Sequence, residues 1–185
     1  MINLLLRIFY KIYPKYRFIT PKEIDKLLDK LKIDFDPDII IGVLNGGYYP
    51  AKKIAKKMNK RLEFLKVKHY STKIFGIEIE YFPIIKRILY FCGFKEKTKL
   101  IKNNSNVKGK NILIVDDESG NGDTINLVKD FLKDAKRIKT VVLVSYGPYN
   151  PDYYAIRSKK LFIMPWVEIS PYHKLFKSKI KFLNF

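Results

Sequence analysis

The sequence predicts an α/β fold, with a central, mainly parallel sheet flanked by helices on both sides. Three stretches carry that expectation. Ile112-Leu113-Ile114-Val115 is an unbroken aliphatic run, followed by Asp116-Asp117 and a loop holding Gly120 and Gly122. From Thr124 on, Ile125, Leu127, Val128, Phe131 and Leu132 fall at helical spacing, which predicts a helix over 124–135. Ile39-Ile40-Ile41-Gly42-Val43 repeats the layout, with Gly46-Gly47 and then a helix over about 51–58. Thr140-Val141-Val142-Leu143-Val144 is the third run. Short continuous apolar runs are the pattern of strands buried on both faces, and their alternation with helical segments implies parallel crossovers.

The remaining elements follow in order. Ile2, Leu5, Leu6, Phe9, Ile12 and Tyr13 share one helical face, closed by Pro14, and suit a membrane-surface helix, a subunit contact or a helix docked on its own core. Thr20-Pro21-Lys22-Glu23 is a capping box with proline at the first helical position, and Ile24, Leu27, Leu28 and Leu31 give its helix an apolar face. Asp36-Pro37-Asp38 makes a turn into the 39–43 strand, and Leu62 to Val67 predicts another strand, leading to Lys68-His69-Tyr70. Pro83 opens a helix with Ile84, Ile85, Ile88 and Leu89, continued by Tyr90, Phe91 and Phe94. The lysine-rich stretch 97–110, with Asn103-Asn104-Ser105, reads as a flexible linker. Residues 146–154 form a turn-rich aromatic loop, and 161–168 a strand running into Pro165-Trp166. The tail 169–185 mixes lysine with aromatic residues.

Bulk numbers narrow the function. With 47% apolar residues in 185, the chain has the makings of one folded domain. Lysine and arginine number 37 against 18 acids, for a net charge of +19. That charge suits a polyanion such as nucleic acid, an anionic membrane surface or a phosphorylated metabolite; spread along the whole chain, it also suits solvated surface lysine. Cys92 is the single cysteine, which excludes an internal disulfide, and His69 and His173 stand apart from any metal-ligand pattern. No apolar run reaches the ~18 residues of a membrane span, and the start lacks signal-peptide features, so a cytoplasmic location is expected.

The chemistry lies in the glycine turns. Glycines let backbone approach a phosphate closely, and a helix starting there aims its unbonded N–H groups at the anion. Carboxylates cannot hold phosphate; they suit sugar hydroxyls or a divalent cation. The 112–124 stretch resembles the phosphoribosyl diphosphate (PRPP) signature of the type I phosphoribosyltransferases. The resemblance implies that Asp116 and Asp117 are the catalytic pair contacting the ribose hydroxyls, with Mg²⁺ held indirectly through ribose or water. It makes Ser119, Gly120, Asn121, Gly122, Asp123 and Thr124 the loop around the 5′-phosphate. Asn45-Gly46-Gly47 resembles the family's pyrophosphate loop, about seventy residues earlier and in the family's order. Asn45 replaces the usual basic residue there, and Lys52 and Lys53 are the cations nearby that could take its role. From Pro151-Asp152-Tyr153-Tyr154 to Pro165-Trp166 the chain resembles the C-terminal hood of the purine (xanthine/guanine/hypoxanthine) branch, so Tyr146, Gly147, Pro165, Trp166 and Glu168 are the expected base-side residues. The resemblance spans 39–168 and implies one phosphoribosyltransferase-like domain over 1–185: an N-terminal amphipathic segment 1–20, a lid 71–110, and a hood with basic tail 146–185.

Two positions depart from that branch. Gly120 stands where an aspartate near the base is usual, and Gly147 where a lysine meets the purine's exocyclic oxygen; Glu118, Asp123 and Glu168 are the acids that could substitute. Restoring both groups by Gly120→Asp with Gly147→Lys is expected to rebuild two polar contacts to a purine. The implied function is PRPP-dependent phosphoribosyl transfer to a purine-like base with release of pyrophosphate, by a homodimer using Mg²⁺. The alternative is a non-catalytic PRPP- or nucleotide-binding protein on the same fold, possibly associated with nucleic acid. Nucleic acid is the less favoured partner. Binding to a generic oligonucleotide, measured by anisotropy, is accordingly expected to be negligible at ~150 mM salt; micromolar affinity falling steeply with salt would reverse that expectation.

Overall fold

The computed structural model describes residues 16–44, 46–70, 73–74, 77–78, 97–101, 106–167 and 170. The helices expected at 1–13 and from Pro83, most of the lid and the tail from 171 lie outside the described residues. In chain order the strands are β1 (Tyr16–Phe18), β2 (Ile39–Leu44), β3 (Arg61–Tyr70), β4 (Lys73–Ile74), β5 (Ile77–Glu78), β6 (Lys97–Ile101), β7 (Asn111–Ser119), β8 (Arg137–Ser145), β9 (Tyr153–Arg157) and β10 (Leu161–Ile163). The helices are α1 (Pro21–Lys30), α2 (Tyr48–Met58) and α3 (Asp123–Phe131).

The main sheet has the order β6-β3-β2-β7-β8-β9. Its strands run parallel except β6, which is antiparallel to β3. The aliphatic runs explain the layering. Side chains alternate across a strand, so Ile40, Leu113, Val115, Val141 and Leu143 pack on one face with Ile24 and Leu28 of α1 and Ala51 and Ile54 of α2. Ile39, Ile41, Val43, Ile112 and Ile114 pack on the other with Val128 of α3 and Leu132. Helices thus cover both faces, as the sequence predicts. The connection through α2 leaves β2 toward β3, whereas that through α3 leaves β7 toward β8. The strand order therefore reverses between the adjacent strands β2 and β7, and open α/β sheets bind ligands at the carboxyl ends of such a pair.

The capping box of α1 forms as expected: the Glu23 amide donates to the Thr20 hydroxyl at 3.1 Å, and the Thr20 amide to the Glu23 carboxylate at 2.8 Å. Several boundaries differ from expectation. Part of the expected linker, 97–101, is the edge strand β6, paired with β3 from Lys66↔Ile101 to Tyr70↔Lys97. The helix after the acid pair covers 123–131 instead of 124–135. The strand expected over 161–168 stops at Ile163 and pairs in parallel with β1, outside the main sheet. Pairing on β8 also turns Tyr153–Arg157 from loop into strand.

A polar clamp fixes that last strand. The Asp152 carboxylate accepts from the Thr140 amide at 2.8 Å, from the Thr140 hydroxyl at 2.9 Å and from the Lys139 ammonium. Burial alone would raise the Asp152 carboxyl, but the Lys139 ammonium and the Thr140 donors outweigh it and hold the group below its ordinary value. A carboxyl so depressed contributes stability above its unfolded value, and that contribution is lost as pH falls through the folded one. Asp152→Ala should therefore cost about 2 kcal/mol at neutral pH. In urea titrations the gap to the parent protein should narrow below pH ~4.

Candidate active site

Two turns meet at the carboxyl ends of β2 and β7. The first leaves β2 at Leu44 and enters α2 through Gly46 and Gly47; Asn45 lies outside the described residues. The Gly47 amide donates to the Val43 carbonyl at 2.7 Å. A Cβ on Gly47 would stand 2.4 Å from the Val115 carbonyl oxygen, so only glycine lets this turn lie against the β7 backbone. A Cβ on Gly46 would stand 2.3 Å from the Asp117 carboxylate. The turn and the acid pair are thus in contact.

The second turn follows β7, which does not end before the acid pair as the sequence suggests but runs on to Ser119. Asp116 and Asp117 consequently project to opposite faces of the sheet. Asp116 is buried, and its Oδ1 accepts from the Asp117 amide at 2.9 Å. Burial first, and the neighbouring Asp117 charge second, push the Asp116 carboxyl well above the ordinary carboxylate range. Asp117 is half-buried and its Oδ2 accepts from the indole Nε1–H of Trp166 at 2.9 Å.

Beyond Ser119, Gly122 takes a left-handed conformation (φ 84°) and opens α3. Asn121 braces the loop, its amide donating to the Asp123 carboxylate at 2.7 Å and its oxygen accepting from the Asp123 backbone at 3.3 Å. Thr124 sits in the first turn of α3. Neither α2 nor α3 has a side-chain cap, in contrast to the fully capped α1. Both uncapped N-termini open at the same end of the sheet, and such ends favour anions through their N–H groups and their dipole.

The residues expected on the base side divide. The Tyr146 amide donates to the Ser119 carbonyl at 3.0 Å, and the Tyr149 amide to the Gly120 carbonyl at 3.1 Å, so the loop after β8 is tied to the loop after β7. A Cβ on Gly147 would stand 2.2 Å from the Gly120 oxygen and 2.7 Å from its Cα. The expectation that a lysine at 147 could reach a purine is therefore corrected: the position has no room for a side chain while the loops stay together. Pro165 is buried in the turn after β10, and Trp166 reaches Asp117; Glu168 lies outside the described residues. Lys53 does not replace the missing pyrophosphate-loop cation, because its ammonium pairs with Asp25 of α1 at 2.9 Å, and that of Lys52 lies 5.8 Å from the Tyr48 ring centre.

Sequence reasoning misses Tyr149. Its ring lies on Gly122, where a Cβ would come within 2.2 Å of it, and the Lys129 ammonium covers the ring at 5.5 Å. The aromatic content of 146–154 was the available signal, but periodicity does not say which tyrosine covers the loop. The hydroxyls of Ser119 and Ser145, register partners on β7 and β8, are both buried and lack hydrogen-bond partners among the described residues. Among those residues no group of three or more His, Cys, Asp or Glu could hold a metal ion. Two carboxylates without a cage fit Mg²⁺ that arrives with a polyphosphate and keeps most of its waters.

Two uncapped helix N-termini and a pair of adjacent carboxylates thus meet at the strand-order reversal. A family model for the phosphoribosyl transferase domain matches residues 19–174, and the chain belongs to the phosphoribosyltransferase family. Among solved structures it is similar to a purine phosphoribosyltransferase from Pyrococcus horikoshii, at 29% identity and TM-score 0.66, covering 84% of this chain and 96% of that one. The fold is also shared with a xanthine-guanine-hypoxanthine phosphoribosyltransferase from Helicobacter pylori (14% identity, TM-score 0.61, 88% and 99% covered). It is shared too with a Neisseria gonorrhoeae protein with bound ppGpp (17% identity, TM-score 0.59, 89% and 97% covered). No curated protein matches by sequence. Among the described residues no helix is long and apolar enough to cross a membrane.

The Gly120–Gly147 contact is directly testable. Gly147→Ala should force the two loops apart and cost roughly 1–3 kcal/mol in a denaturant melt, as overpacking does. Gly147→Lys with Gly120→Asp should lose stability instead of gaining purine turnover.

Proposed function

We propose that the protein transfers the phosphoribosyl group of PRPP to a nitrogenous base of purine type and releases pyrophosphate. One observation carries this reading above the others: two uncapped helix N-termini flank a pair of adjacent carboxylates at the strand-order reversal. PRPP needs that arrangement, since it presents phosphate at each end of a ribose whose hydroxyls lie between. In this reading Ser119 to Thr124 hold the 5′-phosphate, Asn45, Gly46 and Gly47 the pyrophosphate, and Asp116 and Asp117 the ribose hydroxyls. Tyr146, Pro165 and Trp166 line the base side. The 29% identity to a purine phosphoribosyltransferase supports the purine assignment.

The reaction forms a bond from a base nitrogen to the anomeric carbon and breaks that carbon's bond to the pyrophosphate oxygen. Mg²⁺ bound with PRPP would supply charge neutralisation on the pyrophosphate. The chain's own residues orient the two ends of the substrate, so the ribosyl cation-like state forms with its leaving group held. No side chain stands at 120 to take the proton that the base loses, so that proton goes to water or to the departing pyrophosphate. A cytoplasmic homodimer belongs to the same reading. The closed Gly120–Gly147 contact favours a second one, in which PRPP or a nucleotide is bound without turnover.

Incubation with PRPP, Mg²⁺ and a panel of bases should release pyrophosphate with a purine; PRPP binding without release from any base would select the second reading. Asp116→Asn with Asp117→Asn should keep the fold and weaken PRPP–Mg²⁺ binding by about 1.5–3 kcal/mol per charge-assisted hydrogen bond lost. Unchanged affinity in calorimetric titration would remove both residues from ribose binding.

A further inference from the structure

We infer that Trp166 is a positioning residue for ribose recognition, its indole N–H holding the Asp117 carboxylate in the orientation in which it meets the sugar. The inference rests on the PRPP reading above and adds a residue to it. The contact is direct, Nε1 to Oδ2 at 2.9 Å, across 49 residues of sequence.

Both sides of the contact are braced. The Trp166 ring packs on Tyr49 with centroids 6.0 Å apart, and the Tyr49 hydroxyl is anchored on Asp25 of α1 at 2.7 Å. Gly46 lies against the same carboxylate, where a Cβ would come within 2.3–2.4 Å of its carbon and both oxygens. Asp117 is therefore seated between the β2–α2 turn and the segment that follows β10.

The donor's chemistry suits this task. An ionised carboxylate offers about four acceptor positions, and a single indole bond occupies only one of them. An indole N–H carries no charge and cannot accept, so it fixes the group without neutralising it. A lysine or arginine in its place would form an ion pair and compete with a cation or sugar. Trp166 also comes from the C-terminal part of the chain, so the contact ties that part to the sugar site before any base arrives.

Calorimetric titration of PRPP with Mg²⁺, without base, separates this role from base stacking. Trp166→Phe keeps the apolar ring and should weaken PRPP binding about tenfold. Groups in one hydrogen-bonded unit are non-additive, so Trp166→Phe should cost nothing further in an Asp117→Ala background. Undiminished loss in that background, or unchanged or tighter binding in Trp166→Phe alone, overturns the inference. Tighter binding would mean that the sugar has to break the contact. Trp166 is the chain's single tryptophan, so Asp117→Ala should shift the intrinsic emission whether or not Trp166→Phe folds, and an unmoved spectrum overturns the contact itself. Failure of the parent protein to bind PRPP overturns the PRPP reading together with this inference; parent binding with additive losses overturns this inference alone.

Discussion

The close approach of the β2–α2 turn to β7 is the constraint on which the site depends. Parallel pairing in the register Ile39↔Ile112 to Gly42↔Val115 sets the two strands level. β2 then stops at Leu44, while β7 continues to Ser119. The shorter strand's turn folds back across the longer strand at the level of Val115 and Asp117. Two glycines make that possible, since a single Cβ at 46 or 47 would collide with carboxylate or backbone. The N-terminus of α2, the acid pair and the N-terminus of α3 are therefore brought together by backbone geometry, before any polar side chain acts.

Charge is arranged around that geometry with economy. Alternation places Asp116 on the α3 face and Asp117 toward Trp166, yet the Asp117 charge still helps to raise the buried Asp116 carboxyl. Part of the lysine excess is structural. The Lys57 ammonium donates to the carbonyls of Leu28, Asp29 and Leu31 at the end of α1, at 3.1, 2.8 and 3.2 Å. Lys53, Lys60 and Lys139 pair with Asp25, Asp36 and Asp152. A cation at a helix C-terminus complements the exposed carbonyls there. These lysines hold the scaffold, so the net charge of +19 does not by itself mark a polyanion-binding face.

The parts of the fold legible in the sequence are those buried on both faces. β2, β7 and β8 read as aliphatic runs because each must satisfy helices on two sides. Edge strands lack that signature. In Lys97-Thr98-Lys99-Leu100-Ile101 lysines break up the apolar residues, and the segment reads as linker until its pairing with β3 is seen. β9 begins as Tyr-Tyr after a proline-rich turn, and its strand character comes from pairing on β8. The glycine turns and the acid pair were legible because their chemistry is local to a few consecutive residues. The bond from Trp166 to Asp117, the ring of Tyr149 on Gly122 and the capture of Lys53 by Asp25 were not, because each joins residues well separated in the chain.

Gly120 and Gly147 illustrate the same limit more sharply. Read along the chain, Gly120 and Gly147 are independent losses of an acid and a base, each open to reversal. In the structure they are one feature. The Gly120 carbonyl accepts from the Tyr149 amide, the Ser119 carbonyl accepts from the Tyr146 amide, and between these bonds the Gly120 backbone fills the volume that a Gly147 side chain would need. A lysine at 147 requires the loops to separate, which would break backbone hydrogen bonds that hold the loop after β7 in shape. Loss of the lysine and closure of the loops are therefore coupled physically. The contact between these loops is built from backbone, and it leaves position 147 no room for a charged side chain.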